Sequence, residues 1–476
     1  MDIETIVTPG LGNATHLIAT GDGEAVVVDP PRDAWRIAAV ARGRGWRITH
    51  VLETHVHNDY LSGALELRAS NSSEILAPAR GGYAFAHRPM DEGDALDAGP
   101  WRFTARATPG HTPEHLAWDV SSLDALDGPP LAVATGGSLL VGSAGRTDLL
   151  GPTATDELTA AQYVTLRALA ALPPGVRILP THGSGSFCAA GPVDRGRTTT
   201  IDVERRTNPL LAPMDQAAFR ATMLDGFGPY PTYYHEMAPI NRAGPVVLGG
   251  APIPPALDPA GVRAALDGVG GVGAVGGVQV VDGRDRLAFA AGHLPGSLNI
   301  ELDDSFASYV GWLVPFGAPL VLVLPEPAAE SAAEAVAGLL RIGYDRVVGV
   351  LAGGVASWSA SGGHLASYPT VASGDLADDL AVDAAGVVLD VRDPLEWRDD
   401  GRIIGARTIS VGVLTDRLDE LPREATITVM CKAGSRASIA ASVLDAAGFS
   451  VRLVARGGAP DVLAALPTAR ALETSS

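Results

Sequence analysis

Apolar and polar positions along the chain fall into a few recurrent patterns. Short β-branched runs closed by loop residues, such as EAVVVDP (24–30) and ITHVLETH (48–55), predict strands. They alternate with loops through residues 1 to about 240. In the same region ELTAAQYVTLRALAAL (157–172) carries apolar residues at helical spacing and stops at Pro173-Pro174, which predicts a helix. The proline-rich stretch GGAPIPPALDP (249–259) reads as a linker. Beyond it the pattern is duplicated. VQVVDGRDRLAFAAGHLPGSLNI (278–300) and VVLDVRDPLEWRDDGRIIGARTI (387–409) each run a buried strand into Asp-x-Arg, a short helix and a Gly-rich loop. Each copy later repeats a strand, a helix and Gly-Gly. This alternation predicts parallel sheets with helices on both faces. Two separate α/β domains are expected, parted near ASYPTVASGD (366–375).

A length of 476 residues suits about three domains, with expected bounds of 1–248, 260–365 and 373–476. Hydrophobic residues make up 46% and charged residues 19%, without long like-charge runs, so a packed globular protein is expected. The net charge of -19 argues against a nucleic-acid or anionic-membrane partner. No apolar run reaches the roughly 18 residues of a membrane span. The start, MDIETIVTPG, lacks the basic-then-apolar order of a signal peptide. Two cysteines, Cys188 and Cys431, form no disulfide framework, and the protein is expected to be cytoplasmic. Lys432 is the only lysine and adjoins Cys431.

Candidate chemistry begins at THVHNDYLSG (54–63), which sets His55, His57 and Asp59 in a loop after a strand. Further candidates follow in other loops: His111 and His115 in TPGHTPEHLAW, Asp148 in GRTDLLG, His182 and Cys188 in LPTHGSGSFC. Five of the eleven histidines thus sit in three Gly/Thr/Pro-flanked loops, with an aspartate in a fourth, which predicts a metal site. The order His-x-His-x-Asp, Gly-His-Thr, Asp, His resembles the metallo-β-lactamase fold. That resemblance implies an αββα sandwich of two β-sheets with helices outside and a metal at one edge. In two-zinc hydrolases of this fold a histidine usually stands where this chain has Tyr60. A phenol of pKa near 10 substitutes poorly for an imidazole, so one metal is expected.

The resemblance then narrows to persulfide dioxygenases, whose single Fe(II) would be held here by His55, His111 and Asp148. Two histidines and a carboxylate leave open positions of the kind non-haem iron uses with O2, whereas zinc is the alternative. Those dioxygenases often keep a histidine at the Tyr60 position; the loop THVHNDY looks like the subgroup fused to rhodanese domains. His57, Asp59, Tyr60 and His182 are then expected to orient ligands or bind substrate. His115 is expected to pack. Cys188 could reach the metal as a functional thiol, or serve as a buried small apolar residue. The aromatic segment YPTYYHEMAPINR (230–242) could line a substrate entrance, with packing the plainer reading.

ITVMCKAGSRASIAASVL (427–444) runs a buried strand into a helix with small residues on one face. The loop between them, from Cys431 through Lys432 and Gly434 to Arg436, would turn backbone N–H groups toward one point and supply two cations. It resembles the rhodanese active loop, in which Cys431 would carry a sulfane sulfur. Four residues separate Cys431 from Arg436; related phosphatases carry one more, so sulfur transfer is the better reading. The first copy keeps AAGHLPGS and GGVASW but reads PEPAAES after PLVLVL, with neither cysteine nor arginine. That copy is expected to be inactive, a spacer or docking surface. The expected architecture is therefore a metallo-β-lactamase-like domain followed by two rhodanese-like parallel-sheet domains.

Together these resemblances imply oxidation of a thiol persulfide (glutathione, coenzyme A or another small thiol) by O2 to sulfite, with sulfite a candidate acceptor of sulfur from Cys431. This would serve sulfide detoxification. The alternatives are a zinc thioester hydrolase of the glyoxalase type fused to a sulfurtransferase, and a non-catalytic sulfide-responsive scaffold. A homo-oligomer is compatible with the sequence.

Overall fold

The computed structural model describes residues 1–190, 196–268, 277–382, 384–466 and 471–472. The chain forms two compact units, Met1–Pro252 with Leu340–Gly343, and Ile253–Leu339 with Tyr344–Ser476.

The first unit holds two six-stranded sheets. One runs in sequence order through Ile3–Thr8, Asn13–Gly21, Glu24–Val28, Arg47–Leu52, Glu74–Pro78 and Arg88–Met90, antiparallel at first and parallel from the third strand on. The other orders Thr199–Thr200, Arg177–Pro180, Ala132–Gly136, Leu116–Ser122, Trp101–Ala107 and Ala95–Ala98. Strand alternation explains the layers, because neighbouring side chains face opposite ways. Ile18, Val26, Val28, Leu52 and Leu76 meet Phe103, Trp118, Val120, Ala134 and Leu179 in one buried core between the sheets. Their sequence neighbours Leu17, Val27, Val51 and Ile75 pack outward on the helices Ala34–Gly43 and Ala64–Asn71. Ala117, Val133 and Ile178 pack on Pro152–Ala170 and Gln216–Asp225. The result is the expected αββα sandwich.

The helix predicted over 157–172 starts earlier, at Pro152. Gly151 (φ 89°) precedes it, and the proline occupies a first-turn position where its missing N–H costs nothing.

The second unit holds two five-stranded, all-parallel sheets. The first copy orders Ala256–Leu257, Val347–Leu351, Leu320–Val323, Gln279–Asp282 and Leu298–Asn299. The second orders Thr370–Ala372, Val451–Arg456, Ile427–Met430, Val387–Asp390 and Arg407–Thr408. The Asp-x-Arg repeats behave alike. Arg284 forks onto Asp282 and donates to the Gly292 carbonyl, and Arg392 forks onto Asp390 and donates to the Gly401 carbonyl. One expectation changes. The stretch read as a linker supplies Ala256–Leu257 as an edge strand of the first copy, a position that tolerates flanking prolines. Among the described residues no helix is long and apolar enough to cross a membrane.

Candidate metal and sulfur sites

The histidine loops converge at one edge of the sandwich. His55 lies just past Arg47–Leu52, His111 in the loop between Trp101–Ala107 and Leu116–Ser122, and His182 just past Arg177–Pro180. All three rings are buried. Their hydrogen bonds fix which nitrogen keeps a lone pair. Thr54 gives its hydroxyl proton to Asp29 (2.7 Å), so it accepts from His55 Nδ1 (2.7 Å). His111 Nδ1 donates to the Arg146 carbonyl (2.7 Å). His182 Nδ1 donates to Asn13 Oδ1 (3.0 Å), whose amide nitrogen is committed to Asp59 (2.8 Å). Each Nε2 is therefore left with its lone pair.

His55 and His182 face each other Nε2 to Nε2 at 3.4 Å, and His111 Nε2 is buried without a hydrogen-bond partner. His182 is shared by two groups of mutually close donors, one with His55 and His57 and the other with His111 and Cys188. Buried, unsatisfied lone pairs are costly unless a cation sits among them, so these donors fit a metal ion. Burial pushes His55 well below its usual value and His111 down to about 3, which keeps those two rings neutral.

The other predicted residues lie around this point in different roles. His57 Nε2 reaches Glu53 (3.0 Å) and the Tyr60 hydroxyl (3.1 Å). Burial opposes charge on His57, but Asp29 and Glu53 outweigh it and raise the ring to about 10. Its Nδ1 is unpartnered, and His57 groups with His55 and His182 as mutually close donors. Asp59 is also buried; its contacts with His182, the charge of His57 and the Asn13 hydrogen bond overcome that burial and hold its carboxyl at about 2. The Tyr60 hydroxyl donates to the Asp29 carbonyl (3.2 Å) and burial pushes the phenol well up. His115 spends its ring nitrogens on Thr108 (2.8 Å) and the Gly137 N–H (2.9 Å) and stacks on His55.

Cys188 Sγ lies in a buried group with His111 and His182, and burial raises its thiol well above the usual value. Asp148 is not among these mutually close donors. Both its oxygens accept from Arg146 (2.6 and 2.8 Å), and its side chain is 25% exposed. Arg146 stacks on Tyr230 and Phe227, and Tyr234 sits 4.0 Å from Cys188. The segment 230–242 therefore touches the site as well as packing. Tyr233 and Asn241 hold backbone carbonyls of Asp59, His57 and Tyr60.

Sequence reasoning missed Asp29, Glu53, Asn13, Glu114 and Arg146. Asp29 has φ 51° at a strand end and receives Thr54 N–H (2.8 Å), Thr54 Oγ1 and Thr181 Oγ1. Glu114 accepts the Val56 N–H (2.9 Å). An aspartate between a buried strand and Pro30 was the available signal for Asp29.

The cysteine loop forms as expected between Ile427–Met430 and the helix Ser435–Ala446. Cys431 is buried, and its sulfur accepts the Gly434 N–H at 3.1 Å. Gly434 sits at φ 97°, which favours glycine. Arg436 is held by Asp393 (3.0 Å) and forked by Glu396. Lys432 is exposed, 3.4 Å from Asp400. In the first copy Leu320–Val323 leads into Ala328–Arg341 without a cysteine between them.

Residues 7–182 match the family model described as metallo-beta-lactamase superfamily, and residues 273–361 and 374–461 each match that of a rhodanese-like domain. A hydroxyacylglutathione hydrolase from Cereibacter sphaeroides is 35% identical over 191 residues, spanning 38% of this chain and 67% of the relative. The crystal structure of a metallo-beta-lactamase from Staphylococcus aureus subsp. aureus COL shares the fold at TM-score 0.64 and 24% identity, covering 74% of this chain and 98% of that one. That of ETHE1 from Myxococcus xanthus covers 51% of this chain and 99% of that one, at TM-score 0.44 and 26% identity. The chain belongs to the metallo-beta-lactamase superfamily through its first domain and carries two rhodanese-like domains behind it.

Proposed function

We propose that this chain, with domains at 1–248, 260–365 and 373–476, is an Fe(II) persulfide dioxygenase joined to a sulfurtransferase. In the first reaction a thiol persulfide, O2 and water give the thiol, sulfite and two protons; four electrons pass from sulfur to O2. His55, His111 and Asp148 would hold one iron, with His57, Asp59, Tyr60 and His182 in support and Cys188 beside them. Fe(II) held there would supply the redox chemistry that joins O2 to the persulfide sulfur. The observation that carries this reading is Tyr60. Its hydroxyl is committed to the Asp29 carbonyl and beside His57, so it offers no imidazole for a second metal. Asp148 keeps carboxylate lone pairs outside the Arg146 fork. Arg146 also orients His111 through its carbonyl, so one residue steers two of the proposed ligands.

In the second reaction the Cys431 thiolate attacks a thiol persulfide and takes its outer sulfur, releasing the thiolate. Sulfite then attacks that sulfur; the S–S bond to Cys431 breaks, thiosulfate leaves and the Cys431 thiolate returns. The Gly434 N–H on Cys431 supports the loop as a thiolate cradle.

A second reading, zinc-dependent thioester hydrolysis, is favoured by relatives named as hydroxyacylglutathione hydrolases. Anaerobic purification, counting of iron and zinc per chain, and O2 uptake with a thiol persulfide distinguish the two. Iron with persulfide-dependent O2 uptake is expected. Zinc alone, thioester turnover and no O2 uptake would establish the hydrolase.

A further inference from the structure

The first rhodanese copy lacks a nucleophile, yet it packs directly on the cysteine loop of the second. The small-residue face of Ser435–Ala446 receives it: the Asn299 N–H donates to Ser442 (2.9 Å), Ser438 bonds the Asn299 amide oxygen, and His293 meets Asp445 (3.1 Å). Trp312 covers Gly412, where any side chain would collide with the indole. Tyr309 lies within electrostatic reach of Arg436 and Cys431.

One contact reaches the loop itself. Arg286 opens the helix Arg286–Ala291 of the first copy, at the position where the second copy has Pro394. Glu301 takes its Nε and Nη2 (3.1 and 2.6 Å) and its backbone N–H (2.9 Å). The guanidinium is thereby held with Nη1 on the Ala433 carbonyl at 2.6 Å. That carbonyl and the Gly434 N–H belong to one peptide unit, and a trans peptide points them in opposite directions. At the far end of the plane the N–H meets the Cys431 sulfur. A cation on the carbonyl oxygen orients the plane and polarises its N–H, which strengthens the bond to a charged sulfur.

We propose that Arg286 is a positioning residue for Cys431: the inactive copy grips the Ala433–Gly434 peptide from outside, so that its N–H stays on the sulfur. This rests on the sulfurtransferase reading of Cys431, and gives the copy without a cysteine a part in the chemistry of its twin.

The test uses the whole 476-residue chain with Arg286→Ala, Arg286→Lys and Glu301→Gln. Two readouts are needed: the pH–rate profile of Cys431 alkylation by iodoacetamide, resolved by mass of the Cys431 peptide, and sulfur transfer from thiosulfate to cyanide. Arg286→Ala is expected to move the acid limb of the alkylation profile to higher pH and to lower kcat for transfer about tenfold, with KM for thiosulfate little changed. Arg286→Lys should recover part of both effects. Glu301→Gln, which loosens the guanidinium but keeps its charge, should shift the profile in the same direction by less. An Arg286→Ala protein with wild-type thermal stability, profile and kcat would overturn the proposal. If that variant fails to fold, an unchanged profile in Glu301→Gln overturns it instead. Should the wild type transfer no sulfur through Cys431, the sulfurtransferase reading falls, while the alkylation profiles still decide whether Arg286 acts on Cys431.

Discussion

Tyr60 and Asp29 show what single residues contribute at the metal edge. Tyr60 occupies a buried slot against His57 and the Asp29 carbonyl. Tyr60→His would offer an imidazole next to Asp59 and stacked on His57, so metal content per chain is expected to rise from about one toward two. Elemental analysis of both proteins checks this; an unchanged ratio would mean that position 60 does not control the metal count. Asp29 is buried and joins Thr54, Thr181 and His57 through one carboxylate. Asp29→Asn removes the charge opposite His57 and is expected to cost about 3 kcal/mol, read from urea unfolding. The histidines were legible because their motifs are local and rich in turn residues. Asp29 was not, since its partner Thr181 lies 152 residues away and no local pattern encodes that meeting. Asp148 was legible as a motif residue, whereas its fork onto Arg146 was not.

Elements set the geometry of the sulfur loop. A strand must turn sharply into Ser435–Ala446, and Gly434 does this at φ 97° while Arg286 and the Ala455 carbonyl crowd its Cα. Gly434→Ala would strain the turn and push against Arg286. A loss of about 1–3 kcal/mol in stability, seen as a lower unfolding midpoint, is expected together with slower Cys431 alkylation. The neighbouring helix Pro394–Asp399 contributes Glu396. Burial raises its carboxyl, but the hydrogen bond and charge of Arg436 prevail and hold it below the ordinary 4.5. A depressed folded value means that the unfolded chain binds the proton more readily. The stabilisation is therefore present above pH 4.5 and lost as pH falls through the lower folded value. Asp393 has the opposite sign, because burial pushes it up beyond what Arg436 restores. Unfolding midpoints measured downward from pH 4.5 should fall less steeply in Glu396→Gln than in the wild type, and equal slopes would remove Glu396 from the account. Strand-then-helix order was readable from hydrophobic period. The two-residue strands Thr199–Thr200 and Ala256–Leu257 were not, because so short a run carries no period.

At the scale of the whole molecule the repeated pattern after residue 278 made the duplication readable, and the missing cysteine after PLVLVL in the first copy was readable as a difference between the copies. What that copy does instead was not readable, because Arg286 and Ala433 lie 147 residues apart. The two proposed reactions, joined on one chain, have a consequence for products. If sulfite made in the first reaction is the acceptor in the second, each thiosulfate uses two persulfides, one for oxidation and one for transfer. The wild type supplied with a thiol persulfide and O2 should therefore accumulate thiosulfate with little free sulfite. Cys431→Ser removes the nucleophile at a residue buried in its own loop, so O2 uptake should continue at the wild-type rate while the product becomes sulfite. His111→Ala takes away a proposed ligand and should abolish O2 uptake, yet leave transfer from thiosulfate to cyanide intact. Chromatographic quantification of both anions against O2 consumed checks all three proteins. Thiosulfate formed at the normal rate by Cys431→Ser would show that sulfite meets persulfide without this loop, and the second reaction would then have to be assigned away from Cys431.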